Sequence, residues 1–145
     1  MRMNLLLMSA VLMATTALAG SPPLQADLTL AMPAENGSIE TARSGLDGGD
    51  ANVAVRAVNL DNGDTVRVRL RFSYRIDPDT IAFDEILDRI VVETIGDGGA
   101  AIGMAEIDPH EVNLNPNRVA LVYQLTLYRP SEAYTLRVRI FGNYE

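Results

Sequence analysis

The chain has 145 residues with a formal net charge of −7, no Cys, no Trp and one His. Without Cys it has no disulfide and no thiolate nucleophile, and one His with no Cys rules out the usual zinc ligand sets. The acidic balance argues against nonspecific binding to nucleic acid, which rests on neutralising phosphates.

The first residues read as a secretory signal. Met1-Arg2-Met3-Asn4 gives a short positive start, and Leu5 to Leu12 is apolar except for Ser9. Ala17-Leu18-Ala19 then fits the small-x-small cleavage rule, with a second possible cut after Ala26. The apolar run is too short to cross a bilayer, and no later stretch approaches the ~20 apolar residues a spanning helix needs. The expectation is an exported protein, periplasmic or extracellular, with residues 1–19 removed and no stable membrane span. Loss of Arg2 would take the net charge from −7 to −8. The remaining ~126 residues are the size of one domain, enough to hold a core unaided.

Residues 20–50 are rich in Gly, Pro, Ser and Ala, and are expected to form an N-terminal extension with the first short strand or strands. "ADLTLAM" alternates, with Leu28, Leu30 and Met32 on one face. "PAENGSIETARSGLDGGD" is loop-like, with a short strand around Ile39. Asn36-Gly37-Ser38 matches a glycosylation sequon, but Asn-Gly is also a strong turn former.

From residue 51 to 145 the pattern is that of a β-sandwich body. "ANVAVRAVNL" reads as a strand, and "DNGD" (61–64) as a hairpin turn of type I′. "TVRVRLRFSYRI" reads as the paired strand. Phe83, Ile86, Leu87 and Ile90 carry helical spacing, with Asp79 or Thr80 as a cap. "RIVVETI", "AAIGMAEI", "RVALVYQLTLY" and "AYTLRVRIFGNY" read as further strands, separated by "GDGG", "DPHEVNLNPN" and "RPSE". About seven strands with turn signals at roughly 10-residue intervals predict an all-β, antiparallel sandwich.

"RPSEAYTLRVRI" resembles the late strand of fibronectin-III and immunoglobulin-like modules. In those modules a Tyr near the strand start bonds back to the corner before it. The resemblance implies a broadly immunoglobulin-like sandwich with Tyr134 in that place. It implies nothing about function, because such sandwiches host many.

Chemistry-bearing residues fall into few groups. Alternation places Arg67, Arg69 and Arg71 on one side of their strand, and Arg137 and Arg139 on one side of theirs. If the strands neighbour one another, Arg56 completes a basic strip suited to carboxylates, sulfates or phosphates. The competing reading is a solvated face with cross-strand ion pairs to Glu93 or Glu106. All 12 basic residues are Arg, and Arg grips oxyanions bidentately. A chain-wide avoidance of Lys through genome composition gives the same count, so Lys-free usage alone carries no function.

Asp47, Asp50, Asp61, Asp64 and Asp97 sit among glycines as weak calcium candidates, without the spacing of a 12-residue calcium loop. His110 lies in "DPHEV", and no Ser occupies a G-x-S-x-G setting. The carboxylates Asp84, Glu85, Asp88, Glu93, Glu106 and Asp108 are too numerous to single out a catalytic pair. Tyr74 and Tyr123 fall in apolar registers and are expected in the core, whereas Tyr128 and Tyr144 are freer. An outer-membrane barrel alternates in the same way, but the chain is short for eight spanning strands.

No cofactor, metal or enzymatic activity is expected. Two functions remain. One is a module for protein binding or self-association, with the last strand as an edge open to strand addition and "ADLTLAM" as the added strand. The other is binding of an anionic glycan or lipid headgroup by the arginine face.

Overall fold

A computed structural model describes residues 24–46, 51–74, 87–109 and 120–142. It contains eight strands in order: β1 (Leu24–Met32), β2 (Ile39–Gly45), β3 (Ala51–Asn59), β4 (Thr65–Tyr74), β5 (Leu87–Ile95), β6 (Ala101–Ile107), β7 (Ala120–Tyr128) and β8 (Tyr134–Gly142). They form two four-stranded antiparallel sheets, β1-β8-β5-β6 and β2-β3-β4-β7. The all-β sandwich is therefore what the alternation predicted, with eight strands among the described residues where about seven were expected.

The reason lies in the period of two. Each strand sends every second side chain inward. On β3 and β4 the inward set is Val53, Val55, Ala57, Val66, Val68, Leu70 and Phe72, all at most 1% exposed. Val92, Leu136, Val138 and Ile140 are fully buried on the facing sheet. Burying such side chains contributes roughly 1.5–3 kcal/mol each against leaving them in water. Phe72 and Tyr123 meet edge to face in this core, with ring centroids 5.9 Å apart, so Tyr123 is the core residue it was expected to be. The Tyr74 side chain lies outside the described residues.

Several expectations need correction. β8 is not an edge: it lies between β1 and β5. The strands at the sheet edges are β1, β6, β2 and β7. "ADLTLAM" is not left over for a neighbour, because β1 pairs with β8 of its own chain from Leu24↔Phe141 to Met32↔Tyr134. Ala26, Leu28, Leu30 and Met32 are buried there, so β1 belongs to the body of the sandwich and cleavage after Ala26 would cut inside it.

Leu87 and Ile90 belong to β5 rather than to a helix, and both are buried. A register shift between Leu87 and Arg89 explains the illusion. A β-bulge adds one residue to the strand, so residues three apart share a face, as they would on a helix. The other residues of that spacing, Phe83 and Ile86, and the caps Asp79 and Thr80 lie outside the described residues.

The "DNGD" hairpin is also wider than a two-residue turn. Leu60 N–H donates to Thr65 O at 3.0 Å, leaving 61–64 as a four-residue loop. Asn62 Oδ1 accepts from the N–H groups of Asp64 and Thr65, and Gly63 takes φ +85°. Finally, β1 and β2 lie in different sheets, whereas the first two strands of an immunoglobulin constant-type sandwich lie side by side.

Candidate functional site: an arginine face

The register of β2-β3-β4-β7 fixes what its outer face carries. Row by row across those four strands it reads Ile39, Val58, Arg67, Thr126; then Thr41, Arg56, Arg69, Gln124; then Arg43, Ala54, Arg71, Val122. A last row holds Gly45, Asn52, Ser73 and Ala120. Thr65 and Tyr128 close the other end. No Asp or Glu occurs on this face of the strands.

Arg43, Arg56, Arg67, Arg69 and Arg71 therefore share one surface, and all are exposed. Among the described residues none of them has a carboxylate within ion-pair distance. Arg56 stands directly opposite Arg69, and like charges in that position destabilise a sheet. Alternate residues are about 6.8 Å apart along a strand and neighbouring strands about 4.8 Å apart. The stems of the five arginines thus root in an area of roughly 14 by 10 Å.

The two remaining predicted arginines are elsewhere. Arg137 and Arg139 lie on β8, in the other sheet, and face the opposite side of the sandwich. There every described arginine has a carboxylate. Arg137 binds Asp27 through Nε–H to Oδ1 at 3.0 Å and Nη2–H to Oδ2 at 2.7 Å. Arg139 Nη2 donates to Glu93 Oε1 at 2.7 Å. Arg89 Nε lies 3.9 Å from Glu106 Oε2, and its guanidinium stacks 4.6 Å from the Phe141 ring centre. The hydrogen bond from Arg137 holds the Asp27 carboxyl below its ordinary range, and the same bond raises Arg137. The ion-paired, solvated face anticipated from the sequence is therefore real, but it is this face and not that of β3 and β4.

An open depression of about 650 Å³ lies in the arginine face, lined by Thr41, Arg43, Ala54, Arg56, Arg69 and Arg71 among others. Ala54 lies among these arginines in the register. Its cross-strand neighbours are Arg43 and Arg71, Arg56 follows two residues along β3, and Arg69 is diagonal.

A buried polar network fixes the strand that delivers Arg43. Asn59 Nδ2 donates to the carbonyls of Pro33 and Glu35, at 2.8 and 2.9 Å, in the crossover between β1 and β2. Asn59 Oδ1 accepts the Tyr134 hydroxyl. Tyr134 thus ties β8 to the end of β3 rather than to its own corner, which corrects the role its resemblance implied. Burial pushes its hydroxyl pKa up to about 12, with the charge of Arg129 acting the other way. Arg129, 4% exposed, donates to the carbonyls of Thr65 and Ala34 and to Asn36 Oδ1, at 2.9, 3.0 and 2.7 Å. Asn36 accordingly serves the turn, its Nδ2 donating to Asp61 O at 3.1 Å.

Of the calcium candidates, Asp61 and Asp64 lie in the β3–β4 loop and Asp97 in the β5–β6 turn. Asp47, Asp50 and His110 lie outside the described residues, as do Asp84, Glu85 and Tyr144. No group of three or more His, Cys, Asp or Glu able to hold a metal occurs among the described residues. Nor is any helix among them long and apolar enough to cross a membrane.

Arg43 was missed by sequence reasoning. No residue of β2 is fully buried, and only Ala42 and Ser44 are half-buried, so "IETARSG" has no apolar alternation to announce a strand. Its register comes only from pairing with β3. Comparison with protein-family models gave no match, and comparison with curated proteins gave none either.

Proposed function

We propose that this protein is an exported, non-enzymatic β-sandwich module that binds a polyanionic ligand through the outer face of β2, β3 and β4. One observation carries the reading. Five arginines share that face with no carboxylate among them, in a chain whose net charge is −7. A cross-strand pair chosen for stability alone would alternate signs, as β1-β8-β5-β6 does. Unneutralised guanidiniums instead leave their forks open to oxyanions from outside.

Retention on a sulfated polysaccharide resin tests this. Arg56→Ser, Arg69→Ser and Arg71→Ser combined should abolish retention while the protein stays folded. Arg137→Ser with Arg139→Ser should leave it unchanged. Equal retention of both variants would refute the assignment to this face.

Strand addition is the second reading. β6 is an edge strand whose Ile102 and Met104 are 49% and 62% exposed. This favours β6, not β8, as the strand offered to a partner. Light scattering across protein concentration tests self-association, and a monomer throughout would remove it.

A further inference from the structure

Resting on the anion-binding reading of this face, we infer that the group it takes is a compact tetrahedral oxyanion ester, a phosphate or sulfate monoester, seated over Ala54. The inference comes from convergence. A carboxylate carries one charge on two oxygens, and a single guanidinium fork matches both. Here four arginines from three strands surround a single methyl group: Arg43 and Arg71 flank Ala54, Arg56 follows it, and Arg69 is diagonal. An anion with three terminal oxygens and up to two charges can accept from several forks at once, from different directions. Thr41 adds a hydroxyl to the lining, able to donate or accept.

The size agrees. The depression holds about 650 Å³, within the ~300–1,000 Å³ of small-molecule sites. That leaves room for the oxyanion and for the sugar or glycerol that carries it. Ala54 itself lines the depression: a larger side chain there would take up space in it without removing a charge. Arg67 does not line the depression. It roots about 6.8 Å beyond Arg69 on β4, where it would meet a second charge of a longer ligand. The bare Arg56–Arg69 opposition is costly without an anion and relieved by one, so binding and stability are coupled at this place.

Calorimetric titration of the purified protein with three probes tests the inference: glycerol 3-phosphate, N-acetylglucosamine 6-sulfate and glucuronate. Both monoesters should bind at least tenfold more tightly than the carboxylate. Ala54→Leu should weaken monoester binding at least tenfold with the melting midpoint retained, and Arg137→Ser, on the opposite sheet, should change it less than threefold. Should Ala54→Leu fail to fold, Arg43→Ser removes one wall from an exposed edge strand and should weaken binding to a similar degree.

Vesicles containing phosphatidic acid separate the sources. Tighter binding to vesicles than to glycerol 3-phosphate supports a lipid-held monoester, and the reverse a soluble one. Ala54→Leu binding like the wild type, or glucuronate binding as well as the monoesters, would overturn the inference while leaving the arginine face as a general polyanion binder. Failure of the wild type to bind either the monoesters or dextran sulfate would overturn both.

Discussion

Arg56→Glu should make the protein more stable, although it reverses a charge on the proposed binding face. Arg56 and Arg69 stand directly opposite on β3 and β4, and the Cβ atoms of such a pair are about 4.5–5.5 Å apart. Two unit charges about 6 Å apart in water repel by about 0.7 kcal/mol. At 10 mM salt, with a screening length of about 30 Å, most of that survives; at 1 M, with about 3 Å, little does. Glu replaces the repulsion by an attraction of similar size, so the swing is roughly 1 kcal/mol at low salt. For a domain of this size that is a rise in melting temperature of about 4 °C. Thermal unfolding of Arg56→Glu and wild type, each at 10 mM and 1 M NaCl, measures it. The gain should fall below about 1 °C at 1 M. A variant no more stable than wild type at 10 mM, or a gain indifferent to salt, would refute the claim that these two guanidiniums repel one another across the strands.

Other expectations concern what holds the face in place. Tyr134→Phe removes the donor to buried Asn59 Oδ1 and should cost about 1–3 kcal/mol in denaturant unfolding. Because burial raises the Tyr134 pKa from 10.0 to about 12, the folded state disfavours the phenolate. That stabilisation is full below pH 10 and is lost as pH rises towards 12, so the alkaline loss should be smaller in Tyr134→Phe. Asp27 has the opposite sign: its pKa is lowered below 3.8 by the Arg137 hydrogen bond. Its contribution is present above 3.8 and lost as pH falls through the lower folded value. Asp27→Asn should therefore be less stable at pH 7 and lose less between pH 4 and 2. Gly103→Ala would place a Cβ 2.5 Å from Tyr128 O, where β6 and β7 close one side of the sandwich. Overpacking against backbone should cost about 1–3 kcal/mol, and an unchanged melting temperature would contradict that packing.

Strand positions were legible because burial imposes a period of two that the sequence displays openly, as in "TVRVRLRFSYR". Partition between the sheets was not. Alternation says which residues share a face of one strand, and nothing about which strands are neighbours. Arg137 and Arg139 alternate just as Arg67, Arg69 and Arg71 do, yet they lie on the opposite side of the sandwich. The distinction between a paired and an unpaired arginine is set by cross-strand register, such as Arg139 against Glu93 on β5. Arg43 was invisible because its strand buries almost nothing. Leu87 and Ile90 misled because a bulge shifts the period locally.

The account's central claim is that the arginine face of β2, β3 and β4 engages an oxyanion ligand. The most direct measurement is the affinity of the purified protein for dextran sulfate between 50 and 500 mM NaCl, beside the Arg56→Ser, Arg69→Ser, Arg71→Ser variant. The account predicts a logarithmic affinity that falls linearly with the logarithm of salt, with a slope of about −3 to −5 for four or five neutralised charges. The slope should collapse in the variant. No binding at 50 mM, or the same slope in both proteins, would contradict it.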